Sequence, residues 1–156
     1  MKSRLDPLPL SWPRELRQVS PRTPFIWPLR VYWEDTDAGG VVYHASYVRF
    51  FERARTEWLR ALGIEQAKLR EAHGVIFVVH SMDLRFNKPA RLDDLLEASV
   101  LVHEVRSASF KVTQSLRRPS DEANLVSASV RIACIDADRW KPHPMPEFLL
   151  QEISKP

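Results

Sequence analysis

One long amphipathic helix followed by four strand-like segments constrains the fold of this chain more than any other feature. From about Ser46 to Leu62 the apolar residues recur every three or four positions, which is the period of a helix with one apolar face. That face consists of Tyr47, Phe50, Phe51, Ala54, Trp58, Ala61 and Leu62. Polar residues occupy the other side, namely Arg49, Arg53, Thr56, Glu57 and Arg60. Gly63 can end the helix in a left-handed conformation.

The segments after this helix alternate or are rich in β-branched residues, as strands are. They are Val75–Phe86, Leu95–Val105, Ser109–Leu116 and Leu125–Ile135. Short polar turns join them, and short links make neighbouring strands antiparallel. A fifth strand, Leu29–Glu34, is predicted before the helix, and a short helix near residues 146–153. The order predicts an α+β fold in which one antiparallel sheet curls around the long helix. If the outer face of the sheet is apolar, a second copy would have to cover it.

The 156 residues are predicted to form one domain, residues 25–156, preceded by an irregular arm at residues 1–24 that holds five of the 12 prolines. The arm resembles no signal peptide, because prolines interrupt its apolar residues. Cys134 is the only cysteine and lies in an apolar stretch, so we predict a buried, inert thiol and no intramolecular disulfide. No segment approaches the roughly 20 apolar residues that span a bilayer, and we predict a cytoplasmic protein.

The net charge of +3 suits an anionic ligand. A nucleic acid is not predicted, because basic runs with interleaved aromatics and zinc-finger spacings are missing from the sequence. A phosphate-bearing small molecule explains the charge equally well, and so does chance. The histidines lack the spacing of a metal site, so neither a metal nor another cofactor is predicted. A G-x-S-x-G elbow is also missing, which argues against a serine hydrolase.

The stretch EDTDAGGVVYHASY, residues 34–47, places carboxylates and glycines at the start of the helix. Asp37 is either a catalytic carboxylate or a turn residue that accepts bonds from nearby N–H groups. Asp35 is expected to hold the turn and Glu34 to be solvated. Gly39 and Gly40 permit a tight turn, room for a substrate, or both. The unpaired N–H groups at the helix start could stabilise an oxyanion.

Three further side chains have both a structural and a functional interpretation. Glu52 lies on a side stripe of the helix, where it pairs with Arg55 or Arg49 or forms a second carboxylate at a pocket edge. Arg106 and Ser109 lie in a predicted hairpin turn. An arginine there is either solvated or a ligand for a phosphate, to which its charge and fork geometry are suited.

Two motifs resemble a known family. They are RVYWEDTDAGGVVYHASYVRFFERARTEWLR (residues 30–60) and FVVHSMDLRFNKPARLDDLLE (residues 77–97). They are similar to the hotdog-fold acyl-CoA thioesterases of the 4-hydroxybenzoyl-CoA thioesterase-like group, and most of all to the YbgC type associated with the Tol–Pal system. The resemblance covers nearly all of the chain after residue 25. It implies the hotdog fold, a five-stranded antiparallel sheet wrapped around one long helix, in homodimers or homotetramers.

The resemblance also implies an activity, the hydrolysis of acyl-CoA to a carboxylic acid and coenzyme A, with coenzyme A as part of the substrate. Asp37 matches the catalytic aspartate, acting as nucleophile or general base, and the position of His44 matches the oxyanion-binding N–H. The residues implied to contact the substrate are Gly40, Val41, Tyr43, Glu52, Arg106 and Ser109. A link to Tol–Pal or lipid-synthesis proteins comes from the resemblance alone.

Two rival hypotheses remain at this point. A hydroxyacyl dehydratase of the same fold would need a histidine base in a different motif, and the D-x-D-x-x-G block argues against it. A low-activity acyl-CoA-binding or envelope-associated interaction module would keep the fold without efficient turnover.

Overall fold

The computed structural model describes residues 17–18 and 23–156. The predicted arm at residues 1–24 therefore lies mostly outside the described residues. Of that arm, Arg17–Gln18 forms a two-residue strand, β1, that pairs antiparallel with residues 104 and 105.

One antiparallel sheet contains five longer strands. They are β2 (Phe25–Arg30), β3 (Val75–Phe86), β4 (Leu95–Val105), β5 (Ser109–Arg118) and β6 (Ala123–Asp136). Their order across the sheet is β2–β4–β5–β6–β3. Strand β1 pairs with the end of β4, along the same edge as β2. The predicted α+β fold, a five-stranded antiparallel sheet around one long helix, is confirmed.

Three helices and one short 3-10 turn complete the described chain. The helices are α1 (His44–Ala61), α2 (Gln66–His73) and α3 (Glu147–Ser154), and the 3-10 turn is Trp33–Asp35. The prediction of α1 is confirmed, with its start two residues earlier than expected. Gly63 follows it with φ +79°, as predicted. None of the helices in the described ranges is long and apolar enough to cross a membrane.

The prediction of a strand at Leu29–Glu34 is wrong by about four residues. The strand is Phe25–Arg30, and the aromatic residues that suggested a longer strand form the 3-10 turn instead. Pro28 obscures the strand pattern, but β2 pairs only with β4 among the described strands, and an edge strand tolerates a residue without an N–H.

The core lies between α1 and the inner faces of the strands. Five of the seven residues predicted for the apolar face of α1 are buried, whereas Ala61 is exposed and Leu62 only half-buried. The outer face of the sheet carries mainly polar residues, among them Ser115, Ser127 and Ser129. Because that face is not apolar, it gives no hydrophobic reason for a second copy.

The open edge of β3, in contrast to the outer face, carries exposed apolar side chains. This strand has 12 residues and pairs with β6, while no other strand within the described chain lies along its second edge. Val79 and Phe86 on this strand are 45% and 52% exposed. A long edge with exposed apolar side chains is a template for pairing with another strand.

Candidate active site

The turn that precedes α1 is fixed by Asp35. This residue is 4% exposed, and its Oδ2 accepts a hydrogen bond from the Tyr32 N–H at 2.8 Å. Its carbonyl oxygen accepts a second bond, from the Tyr43 N–H, also at 2.8 Å. Asp35 thus ties the 3-10 turn to the residue just before the helix, which is the structural role predicted for it.

Asp37 lies two residues further on, at the surface. Its Oδ1 accepts a hydrogen bond from the Gly39 N–H at 2.8 Å, and its carbonyl accepts one from the Gly40 N–H at 3.0 Å. Its own N–H donates to the Val41 carbonyl at 3.0 Å. The turn role weighed for Asp37 is therefore real. It occupies only one carboxylate oxygen, because Oδ2 accepts no bond from any residue the structure describes.

The two glycines of this turn have different functions. Gly40 has φ +77°, a left-handed conformation that other residues adopt at a cost. Gly39 lies outside that region, but a Cβ built on it would lie 3.0 Å from Oδ1 of Asp37. The absence of a side chain at Gly39 leaves room for the Asp37 carboxylate.

The first turn of α1, which follows the Asp37 turn in the chain, presents unpaired donors. The Ser46 N–H donates to the Tyr43 carbonyl at 2.8 Å. In contrast, neither the His44 nor the Ala45 N–H has an acceptor anywhere in the described ranges. Unpaired N–H groups at a helix start carry partial positive charge. The helix start can therefore bind an anionic oxygen.

The loop between β3 and β4, residues 87–94, supports the same region. The carbonyl of Ala90 accepts a hydrogen bond from the Val42 N–H at 2.9 Å, and the Ala90 N–H donates to the Tyr47 hydroxyl oxygen at 3.0 Å. Burial raises the pKa of Tyr47, so its phenol remains neutral. These bonds couple the position of the loop to the start of α1.

Arg118 at the end of β5 holds this loop in place. Its guanidinium donates to Asp94 at 2.9 Å and to Asp121 at 2.8 Å, and Asp94 also accepts the Arg91 N–H at 2.9 Å. The bonds from Arg118 lower the pKa of Asp121 to about 2. Sequence reasoning missed this support because Arg118 and Asp94 are 24 residues apart and belong to no recognisable motif.

Two of the cavities beside α1 are lined by residues singled out in the sequence. One, of 280 Å³, is at the start of the helix and is lined by Val42, His44, Tyr47, Phe86, Asn87, Lys88 and Pro89. The other, of 70 Å³, lies nearer the end of the helix, between apolar residues such as Trp58, Phe77 and Phe110. The polar residues that line the smaller cavity are Glu52, Arg55 and Gln66.

Glu52 forms an ion pair with Arg55, which is one of the two pairings weighed from the sequence. It also lines the smaller cavity, as expected of a carboxylate at a pocket edge. Arg55 itself is 5% exposed and donates to Oε1 of Gln114 at 2.8 Å. Burial lowers the pKa of Arg55. The sequence did not predict a buried cation, since its partner Gln114 is on β5.

Arg106 and Ser109 are not brought together with Asp37. Arg106 donates to Glu104 at 2.7 Å, and the Ser109 hydroxyl accepts a bond from Arg131 at 3.3 Å. Their turn lies near the end of α1, because the ring of the following residue, Phe110, is 5.8 Å from that of Trp58. An 18-residue helix is about 27 Å long, so most of α1 separates this turn from Asp37 within one subunit.

Comparison with known proteins identifies the family to which this fold and this turn belong. Residues 31–153 match the family model described as the thioesterase-like superfamily. The chain belongs to this superfamily. Its relatives include the acyl-CoA thioester hydrolase YbgC of Escherichia coli O6:H1, 45% identical over 133 residues that cover 85% of this chain and 98% of the relative.

A second relative and a solved structure agree with this assignment. The acyl-CoA thioesterase YbgC of Haemophilus influenzae is 46% identical over 123 residues, which cover 79% of this chain and 89% of the relative. The crystal structure of a probable thioesterase from Bartonella henselae superposes with a TM-score of 0.75 at 38% identity, over 80% of this chain and 100% of that one. The resemblance read from the two motifs is thereby confirmed, as is its hotdog fold.

Proposed function

We propose that this protein hydrolyses acyl-CoA thioesters to a carboxylic acid and coenzyme A. The observation that supports the proposal is the turn that leads into α1, which carries the exposed Asp37 carboxylate with one oxygen unbonded and is followed by the unpaired His44 N–H at the helix start. Thioester hydrolysis needs such a pair, because one group must deliver the attack and another must bind the developing oxyanion. Relatives at 45% and 46% identity that are named as acyl-CoA thioester hydrolases give independent support.

Asp37 can deliver the attack in two ways. As a nucleophile, Oδ2 forms a bond to the thioester carbon, coenzyme A leaves as a thiolate, and water then hydrolyses the mixed anhydride. As a general base, it accepts a proton from a water molecule that attacks the same carbon. In both cases the bond from the Gly39 N–H to Oδ1 limits rotation of the carboxylate.

The backbone N–H is the part of His44 to which we assign the oxyanion. Its imidazole lines the 280 Å³ cavity and packs against the ring of Tyr43 at 4.5 Å, so it forms part of the wall around the reacting group. Gly40, Val41 and Tyr43 connect Asp37 to this N–H, and we assign them to the thioester-binding turn.

A homodimer paired through the open edges of β3 would complete the site. Two antiparallel copies of this strand bring the Phe86 end of one beside the Val75 end of the other. Arg106 and Ser109 of the partner subunit would then approach Asp37, and so would the cavity that contains Glu52. This arrangement gives the predicted substrate contacts a common site, whether the dimer is alone or half of a homotetramer.

Two cellular assignments are carried as proposals. A cytoplasmic location fits the single cysteine, Cys134, which is buried. A link to Tol–Pal or lipid-synthesis proteins follows from the resemblance to the YbgC type and from nothing in the structure.

The activity is tested by thiol release from a panel of acyl-CoAs, from acetyl to palmitoyl and including benzoyl types. Burial raises the pKa of the Cys134 thiol to about 12, so the folded protein should add little background to a thiol reagent. Release of coenzyme A from any member, with the folded protein alone and the acyl-CoA alone as the two blanks, supports the proposal and identifies the acyl preference. A chain that binds acyl-CoA but hydrolyses no member would favour the binding module instead.

Alanine substitutions of Gly39 and Gly40 should have different effects, one on kcat and the other on the free energy of unfolding. Gly39→Ala should lower kcat at least about tenfold, because the new Cβ displaces the Asp37 carboxylate, without the cost of a left-handed residue. Gly40→Ala should instead lower the free energy of unfolding by about 1 kcal/mol, because of its positive φ. The two quantities are measured by thiol release and urea denaturation. A Gly39→Ala variant with wild-type kcat would contradict the assigned carboxylate position.

A further inference from the structure

Lys88 is an unassigned cation at the mouth of the 280 Å³ cavity. Its side chain is exposed and lines the same cavity as His44. None of the ion pairs formed among residues 23–156 includes it. Its field lowers the pKa of Asp121, but that carboxylate already accepts the bonds of Arg118. The positive charge of Lys88 is therefore available to a ligand.

The backbone beneath Lys88 is held firmly. The N–H groups of Asn87 and Lys88 both donate to the Leu125 carbonyl, at 2.8 and 3.1 Å. Two residues later, Ala90 is bonded to both Val42 and Tyr47 at the start of α1. Only the flexible side chain of Lys88 is free, while its Cα has a fixed position relative to the His44 N–H.

The size of the cavity indicates which part of a ligand reaches Lys88. Pockets that enclose a drug-sized ligand have volumes of about 300–1,000 Å³, so 280 Å³ cannot hold the whole of an acyl-CoA. Its nucleotide end must remain at the surface, and its phosphates are its only anionic groups. The pantetheine arm leads from the thioester to the first phosphate, so a cation beside this cavity can contact a phosphate when the thioester oxygen lies at the His44 N–H.

We propose that Lys88 binds a phosphate group of the coenzyme A moiety from the same subunit that supplies Asp37. This inference rests on the proposed function and adds a contact that no sequence motif suggested. Arg106, the cation for which the resemblance implied substrate contact, is already paired with Glu104 and lies far from Asp37 in one subunit. Lys88 forms no ion pair among residues 23–156, and it lines the same cavity as His44. The contact assigns recognition of the leaving group to the 87–94 loop, which Arg118 holds in place.

The test compares acyl-CoA with the same acyl group on pantetheine, which carries no phosphate. Lys88→Met should raise KM for acyl-CoA about tenfold or more, the range expected for loss of one charge-assisted bond, with a much smaller change in kcat. KM for acyl-pantetheine should stay within about twofold of the wild-type value. Lys88→Arg should restore most of the loss. Lys68→Met, which removes a surface charge paired with Glu65, is the matched control.

Equilibrium binding makes the result independent of turnover. Calorimetry with coenzyme A, dephospho-coenzyme A and pantetheine should show weaker binding to Lys88→Met for one or both phosphate-bearing ligands only. Loss confined to coenzyme A identifies the 3′-phosphate, and loss with both identifies the diphosphate. Unchanged Kd values for all three, or equal losses that include pantetheine, would overturn the assignment. Absence of hydrolysis with all substrates would instead overturn the proposed function, while the Kd values would still decide the role of Lys88.

Discussion

Asp37→Asn should lower kcat for acyl-CoA hydrolysis by at least about 100-fold while leaving the protein folded. The amide cannot act as a base or as a nucleophile toward the thioester. It can still accept the Gly39 N–H through Oδ1, which is the bond that shapes this turn. The substitution therefore removes the proposed chemistry and keeps the local structure. KM should change little if the carboxylate acts mainly in the transition state.

A control within the same turn makes that result specific. Glu34→Gln removes one negative charge from an exposed residue near Asp37, so it reproduces the change in charge but not the loss of the carboxylate. Its kcat should remain within about twofold of the wild type. Urea denaturation of both variants should give free energies of unfolding within about 0.5 kcal/mol of the wild-type value, as is usual for surface substitutions.

A kcat reduced less than tenfold in Asp37→Asn would mean that the residue is only part of the turn. The mechanism would then need another carboxylate, and Glu52 is the alternative that already lines a cavity. The bond from the Gly39 N–H to Asp37 exists under either hypothesis, so the size of the kinetic effect distinguishes the catalytic role from the turn role.

Local patterns predicted much of this fold. The limits of β3 and β4 match the expected segments because alternation marks their interior and polar turns mark their ends. Helix α2 was not predicted, since Leu69 is its one buried residue and so gives it almost no apolar period. The strand before α1 was misplaced because Pro28 interrupts it and because the aromatic residues of the following turn have strand-like composition.

The features of the candidate site also fall into two groups, those that local sequence predicted and those that it did not. Asp37, Gly40 and His44 are close in sequence, so one motif was enough to predict that they belong to the turn and the helix start at one end of α1. The support provided by Ala90, and by Arg118 through Asp94, depends on pairing between strands that are distant in sequence. No periodicity reports such contacts. The positions of Arg106 and Ser109 at the far end of α1 likewise depend on the register of β5.

Gln114→Leu should be the most destabilising substitution considered, lowering the free energy of unfolding by about 3 kcal/mol. Gln114 is 2% exposed, and its Oε1 accepts the bond from Arg55. Its Nε2 donates to the carbonyls of Phe51 and Ser99, both at 3.2 Å. Leucine fills a similar volume but leaves the guanidinium without its buried acceptor. The cost should appear as a lower urea midpoint with an unchanged m-value.

Arg55→Met should cost much less than Gln114→Leu, about 1 kcal/mol, although it breaks the same bond. Methionine removes the buried charge, leaving one unpaired amide oxygen on Gln114. Glu52, the other partner of Arg55, has a side chain that is 56% exposed and can be solvated by water. The two substitutions therefore differ in what they leave behind, a buried cation in one and a neutral polar atom in the other.

The double variant Arg55→Met/Gln114→Leu shows which of two causes destabilises Gln114→Leu: a buried guanidinium that has lost an acceptor, or a leucine that packs poorly. If the cost of Gln114→Leu comes from the guanidinium nitrogen Nη1, which loses its acceptor while Glu52 still pairs with Nη2, removing Arg55 as well should recover about 1–2 kcal/mol relative to the single variant, because interacting residues show coupling of this size. If leucine simply fits poorly, the two costs should add. An additive result, or a Gln114→Leu variant no less stable than Arg55→Met, would show that the bond between α1 and β5 contributes little. Recovery would instead show that Gln114 is needed because α1 carries a cation into the core.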